Sequence, residues 1–365
     1  MNGYFDSNAT TPMFPEVRKH FAEKSAAIWH NPSSLYPEAA EAKRELEECR
    51  EWLADFLGVE EPSRVVFTSG ATESNNIVFS STQALNPQGK RVAISAIEHP
   101  SVIEPAKRHW RSSVEMIPVD PEGRVDLSAL KTILESREIS LVSVMAANNE
   151  TGVLQPWEEI REICGLEGVS FHSDATQWFG KLPVGELGSS EWLTGSAHKF
   201  GGPKGVGFLL VPDGCDDLTG AQTGGPQERK LRGGTENVPA ISAMIYALKQ
   251  LEAQPPDHDA KARERDQFEA QLLTEISEIR VVGKSVERLW NTSMIIVPKH
   301  NNLKWLTRLA DLGFQVSTGS ACSSGRGNPS HVMESMGLSF REMGRVLRIS
   351  GSWDTSAEDW EGLAA

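Results

Sequence analysis

Short apolar runs alternate with helical patterns of hydrophobic residues from about residue 64 onward. The runs that predict strands are RVVFTSG, RVAISA, VEMIPV, ISLVSVM, VSFHSD, EWLTGSA and GVGFLLV. The segments between them that predict helices are ATESNNIVFSSTQAL, PSVIEPAKRHW, DLSALKTIL and PWEEIREICGL. Strands that alternate with helices indicate a largely parallel α/β sheet covered on both faces. Ligands bind beyond the carboxyl ends of such strands, so the residues that follow each strand are the first candidates for a functional site.

A polar, proline-containing break, QPPDHDAKARERD, follows the helical segment ENVPAISAMIYALKQLEA. Beyond this break, IRVVGK, WNTSMIIVP, a helical pattern near 303–312 and GRVLRIS predict a smaller α+β unit. We therefore place a domain boundary near residue 250. The sequence predicts a large domain over residues 15–250 and a small domain built from residues 1–14 and 251–365.

Composition excludes several functional classes. The length of 365 residues suggests two domains. A hydrophobic content of 39% is typical of a folded globular protein. The net charge of −14 disfavours binding to nucleic acid or to anionic membranes. No signal-peptide pattern and no apolar run long enough to span a bilayer is visible. The 4 cysteines lack the paired spacing of a disulfide framework or a zinc site, which favours a cytoplasmic location.

The loops after the predicted strands carry most of the candidate chemistry, and they read SGATESNN, IEHP, NNETG, SDATQ, SAHKFGGPKG and RGGTEN. In the first loop, the start of a helix at Thr72 offers free N–H groups and a hydroxyl to a phosphate. The alternative is an ordinary helix start with Glu73 in its first turn. The loop is neither a Walker A motif nor GxGxxG.

Two further loops leave alternatives open. Asp174 follows an apolar strand, where its carboxylate can accept from a protonated ring nitrogen, or cap a helix, or form an ion pair. His99 can stack on a planar cofactor, or it can cap the helix that begins at Pro100. A metal site is not predicted, because His99, His172 and His198 lack paired ligand spacing such as HExxH.

One cofactor, pyridoxal 5'-phosphate (PLP), accounts for all of these groups together. PLP needs a lysine for its aldehyde, for which Lys199 is the candidate, and an acidic partner for its ring nitrogen, for which Asp174 is the candidate. His99 supplies a ring for stacking. The phosphate site is predicted from Thr72, Ser196 and His198.

The chain resembles the class V aminotransferases, and within them the cysteine desulfurases of the NifS/IscS kind. The similarity covers nearly the whole length, and its motifs are FDSNATTP, HNPSS, FTSGATESNN, NNETGVLQP, DATQ, SAHKFGGPKGVG, RGGTENVP and STGSACSSG. The resemblance implies an α/β PLP-dependent transferase fold of the aspartate aminotransferase type. Its large domain would hold a mainly parallel seven-stranded sheet, beside a smaller α+β domain.

The resemblance also implies roles for individual residues. Lys199 resembles the lysine that binds the PLP aldehyde, so Lys204 is expected to be solvated or structural. Asp174 resembles the partner of the ring nitrogen, and Gln177 resembles the donor to the phenolic oxygen of the ring. His99 resembles the stacking acid–base residue. The residues that resemble the phosphate ligands are Thr72, Ser196, His198 and, from the other subunit of a homodimer, Thr235. The residues that resemble the ligands of the substrate carboxylate are Asn149 and Arg348.

The cysteines differ in their surroundings. Cys49 and Cys164 lie on apolar helix faces and are predicted to be core residues, whereas Cys215 lies in an acidic turn that disfavours a thiolate. Cys322 stands in STGSACSSGRGNPS, a run of small, turn-forming residues that predicts an accessible loop. In the resembled family this cysteine carries the persulfide. L-cysteine would be the substrate, alanine the product, and another protein the sulfur acceptor.

Other functions remain alternatives. A selenocysteine lyase, or a PLP-dependent C–S lyase or aminotransferase on the same fold, would not depend on Cys322 in the same way. A catalytically silent interaction protein would lack bound cofactor, and a nicotinamide dehydrogenase lacks support without GxGxxG. The sequence departs from the family pattern at Pro226, where a glycine is expected, and in its short segment after Arg348. The sulfur transferred could serve iron–sulfur clusters, tRNA thiolation or a biosynthetic pathway.

Overall fold

A computed structural model of the protein describes residues 3–86, 89–136, 138–214, 218, 222–319 and 330–365. The strands of its main sheet are β1 (Val65–Thr68), β2 (Arg91–Ser95), β3 (Val114–Ile117), β4 (Ile139–Ser143), β5 (Ser170–Asp174), β6 (Trp192–Ser196) and β7 (Gly207–Leu210). The sheet has 7 strands in the order β1-β7-β6-β5-β4-β2-β3. Strand β7 runs antiparallel to both of its neighbours, and the other pairs are parallel. The predicted α/β fold with a mainly parallel sheet is therefore confirmed.

Helices cover both faces of the sheet, and further helices follow it in the chain. They are α1 (Pro15–Ala27), α2 (Pro37–Phe56), α3 (Ala71–Ala84), α4 (Pro100–Trp110), α5 (Leu127–Ser136), α6 (Trp157–Leu166), α7 (Val238–Ala253), α8 (His258–Glu275), α9 (Asn302–Asp311), α10 (His331–Ser335), α11 (Phe340–Met343) and α12 (Ala357–Ala364). None of the helices in the described part of the chain is both long and apolar enough to cross a membrane.

The two faces of the sheet have separate hydrophobic cores, because successive side chains of a strand point to opposite faces. On β1, Val66 packs in one core with residues of α3 and α4. Its neighbours Val65 and Phe67 belong to the other core, which contains residues of α2, α5, α6 and α7. This burial on both faces explains why strands such as β1 and β7 are nearly continuous apolar runs rather than alternating ones.

A second sheet follows the main one in the chain. It contains β8 (Arg280–Val281), β9 (Thr292–Ile296) and β10 (Val346–Ser350) in the antiparallel order β10-β9-β8. The N-terminal segment packs on it, since Phe5 belongs to the same core as residues of α8, β9 and β10. The backbone N–H of Ser350 donates to the carbonyl oxygen of Phe5 at 2.8 Å. The division into two domains near residue 250 stays a prediction.

Strand β8 is shorter than the run IRVVGK predicts. The left-handed backbone of Gly283, with φ of +69°, ends the extended conformation soon after the strand. A side chain at this glycine would come within 2.6 Å of Val153, so close packing against the loop after β4 favours glycine here.

Candidate active site

A cavity of about 510 Å³ opens beyond the carboxyl ends of β1, β5 and β6. The sequence-predicted site residues that line it are Thr72, His99, Asn149, Asp174, Gln177, Ser196, His198, Lys199 and Arg348. Residues of the N-terminal segment complete the wall, namely Asn8, Ala9 and Thr10. Loops that are far apart in the sequence therefore meet at one place, as the parallel sheet predicts.

Lys199 lies in a short turn directly after β6, where its amine faces the N-terminal segment. The Lys199 Nζ donates to the carbonyl oxygens of Asn8 at 2.5 Å and of Ala9 at 2.9 Å. The same segment is tied to the turn by the backbone N–H of Thr11, which donates to the His198 carbonyl oxygen at 2.8 Å. The amine is thus held at the wall of the cavity. Lys204 also lines the cavity, but its side chain is exposed.

Asp174 ends β5 with its carboxylate buried, at 5% exposure. Its Oδ2 accepts from Asn75 Nδ2 at 2.8 Å, and its Oδ1 accepts from the backbone N–H of Thr176 at 3.0 Å. The carboxylate therefore caps a turn and faces the cavity as well, so the two interpretations of Asp174 are compatible. Such a buried anion, held by two donors, suits a protonated ring nitrogen.

His99 is the N-cap of α4, and its Nδ1 accepts from the backbone N–H of Ser101 at 3.1 Å. Burial lowers the pKa of His99, with Lys199 contributing in the same direction. The neutral ring then carries its proton on Nε2, since Nδ1 is used as an acceptor. Here too the cap and the cavity-lining position coexist.

Asn75 links Asp174 to Ser101, the residue that contacts the His99 ring. Sequence reasoning missed this asparagine. Its Nδ2 donates to Ser101 Oγ at 2.9 Å as well as to Asp174. The available signal was its place in SGATESNN, one turn after the start of α3.

His172 lies on β5, two residues before Asp174, and is fully buried. Burial lowers the pKa of His172 to about 4, and Ser143 and Thr194 contact its ring nitrogens at 2.8 and 3.2 Å.

The start of α3 has the properties of a phosphate cradle. Its N-cap is Gly70, which has no side chain to occupy the first N–H groups. The backbone at Gly70 also lies close to Gly207, since a Cβ added at Gly207 would be 2.7 Å from Gly70 Cα. Thr72, Ser196 and His198 add side chains on the cavity wall. The alternative, a first-turn carboxylate at the helix start, is present too, since Glu73 accepts from the backbone N–H of Ser69 and pairs with Arg232 at 2.9 Å.

His198 is neutral in this environment. Burial and the charges of Lys199, Lys204 and Lys181 lower the pKa of His198 to about 4. Its Nδ1 contacts Thr10 Oγ1 at 3.1 Å. The donor set at this end of the cavity is therefore a helix N-terminus with two hydroxyls and an imidazole, which fits a phosphate group. Together with a buried carboxylate and a lysine amine, the residues present fit PLP.

Arg348 lies on β10 at the other end of the cavity and is 2% exposed. Its Nη2 donates to Asp6 Oδ1 at 2.6 Å, and its Nη1 donates to the carbonyl oxygen of Asn149 at 3.1 Å. Its Nε has no hydrogen-bond partner among the described residues. The guanidinium is held by protein groups while keeping donors for a carboxylate ligand.

One predicted site residue in the described part of the chain does not line this cavity, since Thr235 is exposed and is not part of the cavity wall. Cys322, the other remaining site residue, lies outside the described residues, as does Cys215. Cys49 and Cys164 are buried, and burial raises the pKa of each thiol to about 12, so their prediction as core residues agrees with the structure.

Glu98, another residue that sequence reasoning missed, is fully buried directly before His99. Its Oε1 accepts from Ser95 Oγ at 2.6 Å and from the backbone N–H of Met145 at 2.7 Å, whereas its Oε2 has no partner in the described part of the chain. Burial raises the pKa of Glu98 to about 8. The carboxyl is therefore protonated at neutral pH.

We expect the free energy of unfolding of Glu98→Gln to rise relative to that of the wild type as pH increases from 5 to 9. Between about 4.5 and about 8 the folded wild type holds one proton more than the unfolded chain, so its free energy of unfolding falls with pH. The slope is about 1.4 kcal/mol per pH unit, and the neutral amide removes it. Urea denaturation at pH 5, 7 and 9 measures the difference. The matched control is Glu104→Gln on the exposed side of α4, and an equal gain for both variants at pH 9 would contradict the prediction.

A mainly parallel sheet with these groups at its strand ends defines a class of α/β enzymes, and the comparison of sequences identifies the family. The family model described as aminotransferase class-V matches residues 3–363. The chain belongs to this family, whose members depend on PLP in general.

Similar proteins narrow the resemblance further. A cysteine desulfurase of Cereibacter sphaeroides is 36% identical over 360 residues, which cover 97% of this chain and 92% of that protein. The cysteine desulfurase NifS of Azotobacter vinelandii is 34% identical over 98% of this chain and 89% of that protein. The X-ray structure of a NifS-like protein from Rickettsia africae ESF-5 has a TM-score of 0.89 at 31% identity, and the match covers 100% of this chain and 98% of that one. The predicted resemblance to cysteine desulfurases is confirmed, and these names do not favour the alternative of a selenocysteine lyase.

Proposed function

We propose that the protein is a PLP-dependent cysteine desulfurase, which converts L-cysteine to L-alanine and transfers the sulfur to Cys322. The observation that carries this proposal is the cavity that brings Lys199, Asp174 and His99 together beside the free N-terminus of α3. When bound, PLP supplies an electron sink for a negative charge at the substrate Cα. The names of the similar proteins support the reaction type.

The residues of the chain divide the work of proton transfer. Lys199 would hold the cofactor aldehyde through its Nζ, an amine that is also placed to remove the Cα proton of the substrate. Asp174 would hold the ring nitrogen in its protonated form, because a buried carboxylate favours a positive charge beside it. His99 would hold the ring beside its imidazole and could move a proton through Nε2, which its cap interaction leaves available.

The substrate is oriented by its carboxylate. Arg348 and Asn149 lie together on the cavity wall, and a planar guanidinium suits a carboxylate. The contact with Asp6 at 2.6 Å fixes the position of the guanidinium before substrate binds. This arrangement orients the substrate by groups that do not take part in the bond changes.

Sulfur transfer requires a thiolate at Cys322. The thiolate attacks the substrate Sγ, the Cβ–Sγ bond breaks with its electron pair left on Cβ, and Cβ then takes up a proton. The proton that Lys199 removed from Cα is returned to Cα, which gives alanine. The sulfur remains on Cys322 as a persulfide. The role of Cys322 rests on the motif GSAC and on the resemblance, and a sulfur-acceptor protein would complete the cycle.

The remaining parts of the proposal concern the assembly. A homodimer would bring Thr235 to the phosphate site of the partner subunit, and the exposure of Thr235 in the single chain supports this role.

The large domain over 15–250 and the small domain over 1–14 and 251–365 would meet at the cavity, since Arg348 and Lys199 both line it. The absence of nucleic-acid binding fits the charge of −14, and the lack of paired cysteine spacing favours a cytoplasmic location.

The test of this function is to supply the purified, PLP-loaded protein with L-cysteine, without and with a thiol reductant, and to measure alanine and the intact mass of the chain. We expect alanine in proportion to the substrate consumed, and without reductant a chain heavier by sulfur. Pyruvate as the main product would indicate a C–S lyase, and turnover of selenocysteine alone would indicate a selenocysteine lyase. Either result would contradict the proposal.

A further inference from the structure

We propose that Lys181 is a positioning residue for the cofactor, because its buried amine fixes the side-chain amide of Gln177 with the amide nitrogen toward the cavity. The inference rests on the proposed function, since it concerns how the cavity receives PLP. Nothing in the sequence motifs assigns a role to Lys181, which lies four residues after Gln177 in SDATQWFGK.

The Lys181 side chain is enclosed by the protein, at 1% exposure. Its Nζ donates to Gln177 Oε1 at 2.5 Å and approaches the Gln177 carbonyl oxygen at 3.3 Å. No carboxylate forms an ion pair with this amine among the residues that the structure describes. The contacts of the buried amine are therefore directed at a single residue, Gln177.

Two indole groups fix the turn that carries Lys181. Trp290 Nε1 donates to the Lys181 carbonyl oxygen at 2.7 Å, and Trp353 Nε1 donates to the Gly180 carbonyl oxygen at 2.8 Å. Gly180 has a left-handed backbone with φ of +73°, and a Cβ there would come within 2.7 Å of Phe200 and Leu251. The path of the chain from Gln177 to Lys181 is thus set by packing, which leaves the lysine amine little choice of position.

The amine has enough donors for this task. Burial and the positive charges of Lys199 and Arg348 hold the pKa of Lys181 well below its usual range. With two hydrogens when neutral and three when protonated, the amine can donate to both of the Gln177 oxygens that it approaches.

The bond from Lys181 decides which way the Gln177 amide faces. Because Oε1 accepts from the amine, the NH2 group must point the opposite way, and Gln177 Nε2 donates to the Asn8 carbonyl oxygen at 2.9 Å. The amide nitrogen has a second hydrogen, and Gln177 lines the cavity. Lys199 Nζ donates to the same Asn8 oxygen at 2.5 Å. One continuous chain of hydrogen bonds therefore joins Lys181 to the lysine that binds the cofactor.

A purely structural role explains this lysine poorly. Burying an amine without an opposite charge costs stability, whereas methionine would fill a similar volume without that cost. The two roles predict different results for Lys181→Met. A structural role predicts a less stable protein with an unchanged site, and a positioning role predicts a changed site in an apoprotein that is at least as stable as the wild type.

The experiment compares Lys181→Met, Lys181→Gln, Gln177→Leu and the double variant Lys181→Met/Gln177→Leu. Each apoprotein is titrated with PLP, and the visible absorbance of the bound cofactor is then followed against pH. We expect Lys181→Met to weaken PLP binding about tenfold and to shift the pH midpoint of the absorbance band. Lys181→Gln, which still offers an N–H donor, should recover most of both effects. The double variant should be no worse than Gln177→Leu alone, because the two residues act as a unit.

The melting temperature of each apoprotein serves as the control for folding. If Lys181→Met does not fold, Gln177→Leu is compared with the wild type by the same readouts, and wild-type PLP affinity and pH midpoint in Gln177→Leu would overturn the inference. The inference would be overturned if Lys181→Met had the PLP affinity and pH midpoint of the wild type, or if the effects of the two substitutions added in the double variant. If the wild type still makes alanine, such a result leaves the proposed function intact. A wild type that binds no PLP would overturn the proposed function and this inference together.

Discussion

Lys199→Ala is expected to lower alanine formation from L-cysteine by about 10²–10⁴-fold, which is the typical contribution of a general base. The Nζ lies at the cavity wall, where it donates to Asn8 and Ala9, and none of the other described lysines has an amine in this position. The loss should appear in kcat rather than in KM, because substrate carboxylate binding by Arg348 is unaffected. Steady-state alanine assays on PLP-loaded protein measure both constants.

The second readout for Lys199 is the place where the cofactor is attached. Borohydride reduction of the wild type followed by peptide mass spectrometry should find the cofactor on the peptide that contains residue 199. Lys204→Ala is the matched comparison, since Lys204 lines the same cavity but has an exposed side chain. It should keep the attached cofactor, whereas Lys199→Ala should lose it. Attachment at Lys204 would refute the assignment of Lys199.

The fold could be predicted from the sequence because its strands are buried on both faces and its helices have clear starting signals. Helix α4 begins at Pro100, as predicted, since proline is favoured in the first turn and His99 caps the helix. Strand β8 was predicted too long, because its end depends on the packing of Gly283 against Val153, a contact between distant parts of the chain. Local signals thus identified the elements, and tertiary contacts set their ends.

The site could be predicted as far as it lies at strand ends. Asp174 ends β5, Ser196 ends β6 and Lys199 directly follows β6. Because these strands are parallel neighbours, the three residues meet at one edge of the sheet, where the sequence pattern placed the site. The supporting groups could not be predicted in this way. Asn8 comes from the N-terminus, yet its carbonyl oxygen accepts from Gln177, which is 169 residues away.

Glu98 and Lys181 illustrate a second limit of sequence reasoning. Charged residue types are usually exposed, so a buried carboxyl or amine has no signal in a single sequence. The properties of both residues depend on burial, which raises the pKa of Glu98 and lowers that of Lys181. The roles of Thr235 across a dimer and of Cys322 in sulfur transfer stay predictions.

Cys322→Ala is expected to abolish persulfide formation and to lower alanine production by about 10³-fold or more, because the variant lacks the nucleophile that accepts the sulfur. PLP binding should be unchanged, since no residue of the proposed cofactor site is altered. Intact mass after incubation with L-cysteine, without reductant, reports the added sulfur. Alanine assays on the same samples report turnover.

Cys164→Ala is the matched control for this variant. Cys164 is buried in the main core, and burial raises the pKa of its thiol to about 12, so it offers no thiolate at neutral pH. This variant should therefore gain sulfur and produce alanine as the wild type does. If instead Cys322→Ala retains turnover, sulfur must leave the substrate without the thiol, as in a C–S lyase. Substrate elimination would then release pyruvate rather than alanine, so the identity of the product separates the two mechanisms.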